Sequence, residues 1–151
     1  MSRLKTIIVA SLGILCCSLF LGACEDNNAS KRHGDPALIG TWDIIEMSWI
    51  TPSDTTTYIE TQLNGMGAVW TLVLRADGTL EQVSNMSGSG TLDTQTGTWS
   101  TSDGQLTITL TFPAAAASTL VYEYAVDGEL LTLSRASPMG DMIIRADFRK
   151  Q

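Results

Sequence analysis

The side chains that most often perform catalysis are scarce in this chain. Its single histidine, His33, falls in a stretch of polar and charged residues, away from any predicted strand. A Ser-His-Asp or Cys-His site needs its base held by a rigid neighbour, and a zinc site needs several His or Cys ligands. The sequence therefore argues against these sites, and we predict no catalytic residue, no metal and no cofactor.

Four glutamates leave one enzymatic alternative, because Glu46, Glu60, Glu81 and Glu123 lie on or near predicted strands. Two carboxylates can act as acid and base when they face each other in a pocket, within about 10 Å. We favour solvated carboxylates on outer faces instead. Glu46 is the most interesting of the four, because strict alternation from Trp42 would point it inward unless a bulge intervenes.

The N-terminus has the composition of an export signal. Arg3 and Lys5 supply positive charge, and residues 6–20 are almost wholly apolar, shorter than the ~20 residues of a spanning helix. The segment Leu21-Gly22-Ala23-Cys24 follows. It resembles the bacterial lipobox, in which the cysteine is lipidated and the chain is cleaved before it. The resemblance implies a signal peptide at residues 1–23.

The same resemblance implies that Cys24 carries diacylglycerol and acyl chains such as palmitate, which would anchor the protein to a membrane. Cys16 and Cys17 lie within the signal, so no internal disulfide is expected and the domain must rely on its apolar core. Glu25 and Asp26 are similar to the surface-export signals of some bacterial lipoproteins, although plain solvation explains them equally well. We expect an outer-membrane lipoprotein of the cell envelope, with its leaflet left open.

The charge of the chain excludes one class of partner. Beyond residue 23, seven basic residues stand against 16 acidic ones, a net formal charge of −9. Nucleic-acid binding needs a basic patch, so we expect no nucleic-acid partner, and the charge serves solubility. Residues 24–37 are polar and rich in turn formers, which predicts a flexible tether after the lipidated cysteine.

From residue 38 onward, short segments alternate apolar and polar residues, which is typical of half-buried strands. Three Asp-Gly pairs lie between such segments and predict hairpins with type I′ turns: Asp77-Gly78, Asp103-Gly104 and Asp127-Gly128. The alanines at 114–117 are expected in a loop. We predict strands at 40–49, 68–75, 79–86, 97–101, 105–112, 120–126, 129–134 and 141–150.

Eight consecutive strands can dispose of their exposed edges by closing on themselves. The predicted fold is all-β, an eight-stranded antiparallel up-and-down barrel spanning residues 38–151. Such a barrel has room for packed side chains or one small ligand. Residues 50–67 form a long connection across one mouth, and their 55–63 portion is expected to be a short strand or a helical turn.

The segment Gly40-Thr41-Trp42 resembles the Gly-x-Trp motif of lipocalins, although Gly97-Thr98-Trp99 repeats it within the chain. In that family the tryptophan closes one end of the barrel, and a basic residue of the last strand packs on its ring. The resemblance implies the pair Trp42 and Arg149, with Arg145 as the second choice for the basic residue. It covers residues 38–151.

Two functions follow as expectations. The first is a non-enzymatic barrel that binds a small apolar or amphipathic ligand at its open mouth, with Trp70, Leu72, Phe112 and Tyr122 lining the site. The alternative is a filled barrel that engages another protein through its loops, as an inhibitor or accessory module, with residues 50–67 as the contact surface.

Overall fold

The computed structural model describes residues 34–86, 90–112, 115–138 and 140–151. The predicted signal peptide, Cys24 and His33 lie outside these ranges. No helix in the described part has the length and apolar content of a membrane span. After a 3-10 turn (Pro36–Leu38), the elements in chain order are β1 (Gly40–Ile50), β2 (Thr55–Ile59), α1 (Glu60–Gly65), β3 (Trp70–Leu74), β4 (Thr79–Ser84), β5 (Asp93–Ser102), β6 (Gln105–Phe112), β7 (Ala115–Asp127), β8 (Leu130–Ala136) and β9 (Ile143–Lys150).

Eight of these strands close into an antiparallel barrel, as predicted. The first strand, β1, pairs with β3 along one edge and with β9 along the other, and β3 to β9 pair in sequence order. Every strand of this ring therefore has two neighbours, which leaves no open sheet edge in the ring. The ninth strand, β2, pairs with the C-terminal half of β1, beyond the residues of β1 that pair with β3.

The three predicted Asp-Gly turns each join two neighbouring strands, but only one has the predicted type I′ conformation. At Asp103-Gly104 both residues have positive φ, 52° and 77°. Gly78 and Gly128 have positive φ while the preceding aspartates do not. Asp77 instead accepts hydrogen bonds from the Thr79 backbone N–H and hydroxyl at 2.9 and 2.7 Å.

Two strands are longer than the sequence pattern predicts. β5 begins at Asp93, four residues before the predicted start, and β7 begins at Ala115. The loop predicted for residues 114–117 is wrong where Ala115 opens a strand that pairs back on Phe112. The pattern missed both extensions because small and polar residues show no alternation, whereas the backbone hydrogen bonds of neighbouring strands hold them extended. The 50–67 connection contains both a strand, β2, and a helical turn, α1.

The inward side chains fill one end of the barrel completely. Trp42, Leu72 and Phe148 are fully buried there, together with leucines from β3, β4, β6 and β8. These contacts and all the strand pairings lie within residues 34–151, so this segment contains its own core and its own hydrogen-bonded ladder. We call the filled part the closed end, and the opposite part, near Trp70 and Arg135, the mouth.

Residues just before β1 pack beneath the closed end. The Asp35 backbone N–H donates to Thr101 Oγ1 at 2.9 Å, and the Tyr124 hydroxyl donates to Asp35 Oδ2 at 3.2 Å. Gly34 lies so close to the Trp99 ring that a Cβ at this position would overlap it. The chain therefore enters the barrel along a defined path that covers the Trp99 indole.

Candidate functional site

Two tryptophans hold the closed end. Trp42 is fully buried, and its Nε1–H donates to the Leu38 carbonyl oxygen at 2.7 Å. Trp99 is also buried, and its Nε1–H donates to the Arg75 carbonyl oxygen at 2.9 Å. Because both indole donors are satisfied by backbone, the rings fill the core without leaving a polar atom unpaired. Trp42 and Trp99 are therefore structural residues of the closed end.

The basic residue over Trp42 is Lys150, and the prediction of Arg149 is wrong. Lys150 Nζ lies 5.1 Å from the centre of the Trp42 ring. On β9 the inward row contains Ala146 and Phe148, both buried, so Lys150 continues that row. Arg149 faces outward and pairs with Glu60 at 3.3 Å.

The glycine of the Gly-x-Trp motif has a steric reason. Gly40 has a φ of 148°, and a Cβ placed there would lie 2.6 Å from Cε of Lys150. The missing side chain therefore leaves a passage for the Lys150 methylenes, which cross Gly40 to bring the ammonium group over Trp42.

Lys150→Met is expected to lower the free energy of unfolding by about 0.5–2 kcal/mol, because it removes the cation–π contact and keeps the aliphatic stem. Arg149→Met removes an exposed ion pair and is expected to cost less than about 1 kcal/mol. Each variant loses one positive charge, so the free energies of unfolding in urea can be compared without a difference in net charge. An Arg149 effect larger than the Lys150 effect would contradict the assignment.

A β-bulge turns Glu46 away from the interior. In the β1–β9 pairing, Ile44 faces Phe148 while Glu46 faces Asp147, so Ile45 is an extra residue. The alternation shifts by one at this point, which places Glu46 on the outer face and Met47 on the inner face.

The carboxylates considered for catalysis lie mostly in ion pairs or on outer faces. Glu46 and Glu60 line the same groove of about 310 Å³ on the outer face, where Glu60 is paired with Arg149. Glu81 pairs with Arg75 at 3.1 Å, and Glu123 lies on the outward row of β7. No group of three or more His, Cys, Asp or Glu side chains in the described ranges is placed to hold a metal ion.

The mouth holds a cavity of about 220 Å³. Its walls come from six strands and from Met86, which follows β4. They combine apolar, amide, hydroxyl and guanidinium groups. The lining residues are Met47, Trp70, Gln82, Ser84, Met86, Leu120, Tyr122, Arg135 and Ile144. A concave site with mostly apolar walls and a few polar groups is the usual form of a small-molecule site.

Two of the four predicted lining residues, Trp70 and Tyr122, do line this cavity. Leu72 is fully buried in the core below it, and Phe112 packs against the core without contributing to the lining. The prediction of these two as lining residues is wrong because alternation identifies which side chains face inward, but not how far down the barrel each one lies.

Trp70 differs from the two tryptophans of the closed end. Its ring packs edge-on against Phe148, with centroids 5.1 Å apart. Its Nε1 is the one buried side-chain nitrogen or oxygen in the described ranges with no hydrogen-bond partner. An unpaired buried donor costs about 1–3 kcal/mol, which an acceptor on a bound molecule would offset.

Arg135 is a lining residue of the cavity that the sequence reasoning missed. Its guanidinium carbon lies 5.6 Å from the centre of the Tyr122 ring, at the wall of the cavity. The missed signal was its place in the row Leu131, Leu133, Arg135, where two apolar inward residues predict that the third also faces inward.

Burial raises the pKa of the Tyr122 hydroxyl above its usual value of 10.0, while the Arg135 charge opposes that rise. The unfolded chain therefore loses this proton at a lower pH than the folded chain does. The resulting stabilisation is fully present below the unfolded pKa and is lost as the pH rises through the folded pKa.

Tyr122→Phe is therefore expected to lose less stability than the unaltered protein between about pH 9 and pH 11. Urea unfolding of both proteins at a series of pH values measures the two slopes. Parallel slopes across this range would contradict the burial of Tyr122.

The comparisons with known proteins agree with this architecture. A family model described as a lipocalin-like domain matches residues 38–134, which is more than half of the chain. The searches of curated proteins and of solved structures gave no match. The matched segment begins at Leu38, which accepts the Trp42 hydrogen bond, and ends in β8, one residue before Arg135. The chain belongs to the lipocalin-like domain family, whose barrel fits a ligand-binding role.

Proposed function

We propose that this barrel is a non-enzymatic binding domain that takes a small apolar or amphipathic molecule at its mouth. The observation that carries the proposal is the cavity of about 220 Å³ above a closed end that side chains fill completely. This volume is below the ~300–1,000 Å³ of sites for drug-sized ligands, so it suits a small molecule or one end of a longer one.

The composition of the wall supports an amphipathic ligand. Met47, Leu120 and Ile144 supply apolar surface, and burying an apolar group against them is favourable at roughly 25 cal/mol per Å². Ser84 and Tyr122 place hydroxyl groups in the same wall. A purely apolar ligand would leave these polar groups without partners, which weakens its binding.

The binding test uses residues 34–151 and two probes of equal chain length, octan-1-ol and octanoate, with calorimetric titration. We expect at least one probe to bind with one-to-one stoichiometry. Ser84→Phe, which fills the mouth, should weaken that binding by about tenfold or more, equivalent to about 1.4 kcal/mol. Val83→Phe adds the same ring on the outward row of β4 and should leave the affinity unchanged. Failure of both probes to bind, or an unchanged affinity in Ser84→Phe, would contradict the proposal.

We further propose that Cys24 carries the lipid that anchors the chain to the outer membrane. The support is the lipobox-like segment at residues 21–24 and the polar tether that follows it. Cells that express the full chain and are fed radioactive palmitate should label it, whereas Cys24→Ser should not be labelled. Equal labelling of the two chains would contradict the assignment.

A second candidate function is supported by exposed apolar residues in the long connection. Ile59 is 49% exposed and Met66 is 59% exposed, at the two ends of the helical turn α1. Exposed apolar side chains mark a contact surface for another protein when they form one contiguous patch. If this surface binds a partner, a chain with Ile59→Ser and Met66→Ser should lose an envelope protein that the unaltered chain retains in a pulldown. Identical recovery from both chains would contradict this candidate.

A further inference from the structure

We propose that Arg135 selects the ligand by charge, so that the mouth takes an amphiphile with an anionic head group, a carboxylate or a similarly small oxyanion. This inference rests on the proposed binding function and names the class of molecule that the same cavity accepts. The head group lies at Arg135, and the apolar part lies against the Met47, Leu120 and Ile144 side of the wall.

The geometry places the guanidinium at the mouth of the barrel, on the Tyr122 side of the rim. Leu131 and Leu133 precede Arg135 on the inward row of β8, and both are buried. Arg135 itself is half-buried, and its guanidinium carbon lies 5.6 Å from the centre of the Tyr122 ring, which is only 4% exposed. The cation therefore lies against a buried aromatic residue, where it is partly removed from water.

Among the arginines that the structure describes, Arg135 alone lacks a carboxylate partner. In the part of the chain that the structure describes, Arg75, Arg145 and Arg149 each lie 3.0–3.3 Å from a carboxylate oxygen. Arg135 has no such partner there, although the chain is strongly acidic. A partly buried cation without a counter-charge is costly, and an anion from outside the protein would remove that cost.

The other groups of the wall suit an oxyanion as well. The Tyr122 and Ser84 hydroxyls line the cavity, and neither makes a side-chain hydrogen bond to another described residue. The Tyr122 hydroxyl is protonated and can donate at neutral pH, and burial raises its pKa further. One acidic residue, Asp93, also lies on an inward row, that of β5. It is exposed, and its carboxylate already accepts a hydrogen bond from the Gln95 amide at 2.9 Å. Donors aimed at an anion give shorter and stronger hydrogen bonds than neutral pairs do.

The test compares octanoate, octan-1-ol and octylammonium on residues 34–151. We expect octanoate to bind about 10- to 100-fold more tightly than octan-1-ol, and octylammonium to bind most weakly. Arg135→Met should remove this preference while leaving the octan-1-ol affinity within about threefold. Arg135→Lys keeps the charge and should retain part of the preference. Arg145→Met makes the same loss of charge on the outer face and should leave the preference unchanged.

The outcomes separate this inference from the function on which it rests. Equal affinities for octanoate and octan-1-ol in the unaltered protein would overturn the role of Arg135 and leave the binding function standing. An equal loss of octanoate binding in Arg135→Met and Arg145→Met would also overturn it, because a general charge effect would then explain the preference. Failure of all three probes to bind would overturn the binding function itself.

Discussion

Trp42→Ala is expected to lower the free energy of unfolding by about 3–5 kcal/mol, the usual cost of removing a large aromatic side chain from a core. The ring is fully buried at the closed end, and the substitution also removes its hydrogen bond to the Leu38 carbonyl oxygen and the cation–π contact with Lys150. Leu38 would keep a buried carbonyl without a side-chain donor. Urea unfolding at neutral pH measures the loss.

Trp49→Ala is the matched control, because it makes the same substitution at the other end of β1. Trp49 is half-buried and packs edge-on against Tyr58, with ring centroids 5.2 Å apart. We expect a clearly smaller loss of stability, since little core surrounds this ring. Equal losses in the two variants would contradict the division into a filled closed end and an open mouth.

Gly97→Ala is expected to lower the free energy of unfolding by about 1–3 kcal/mol, although it adds only a methyl group. Gly97 lies in β5 between Leu80 and Leu110, and a Cβ there would overlap the Thr109 carbonyl oxygen. Because the obstacle is backbone, the overlap is relieved only by moving β6 relative to β5. Thermal and urea unfolding both measure the effect.

Gly65→Ala provides the contrast for that prediction. Gly65 ends the helical turn α1, and a Cβ there would meet no atom within 4 Å. Alanine is favoured over glycine in a helix by roughly 0.5–1 kcal/mol, so this variant should be unchanged or slightly more stable. If Gly97→Ala proved as stable as Gly65→Ala, the close approach of β5 and β6 would be wrong.

The fold could be predicted from the sequence because two local signals agree along most of the chain. Alternation places Leu106, Ile108 and Leu110 on one face of β6, and all three are buried. The Asp-Gly pairs mark the hairpins between successive strands. The signals failed at Ala115–Ala117 and at the start of β5, where small and polar residues are held extended by their neighbours.

The contact between Lys150 and Trp42 shows that alternation along a strand also identifies which basic residue faces inward. On β9, Ala146 and Phe148 share the inward face, so the same rule points to Lys150 and away from Arg149. The family resemblance called for a basic residue of the last strand, and our assignment of Arg149 did not apply the alternation along β9, which would have pointed to Lys150. Glu46 is the opposite case, since the bulge at Ile45 is a property of the β1–β9 pairing that no local pattern reveals.

The mouth was only partly predictable, for a related reason. Trp70 and Tyr122 could be identified as inward-facing aromatic residues, but whether an inward side chain fills the core or lines a cavity depends on what faces it across the barrel. Leu72 pairs with Trp42 and is covered, whereas Tyr122 meets Arg135 at the open end. That distinction is set by long-range packing, which the spacing of residues along one strand does not encode.

The most direct test of an open mouth above a filled closed end follows the indole N–H signals of Trp42, Trp70 and Trp99. Residues 34–151 labelled with ¹⁵N would be titrated with octanoate and, separately, with octan-1-ol. We predict that the Trp70 signal shifts with the bound probe while the Trp42 and Trp99 signals stay in place. Shifts of the Trp42 or Trp99 signals larger than that of Trp70, or no shift in any of the three, would contradict this account.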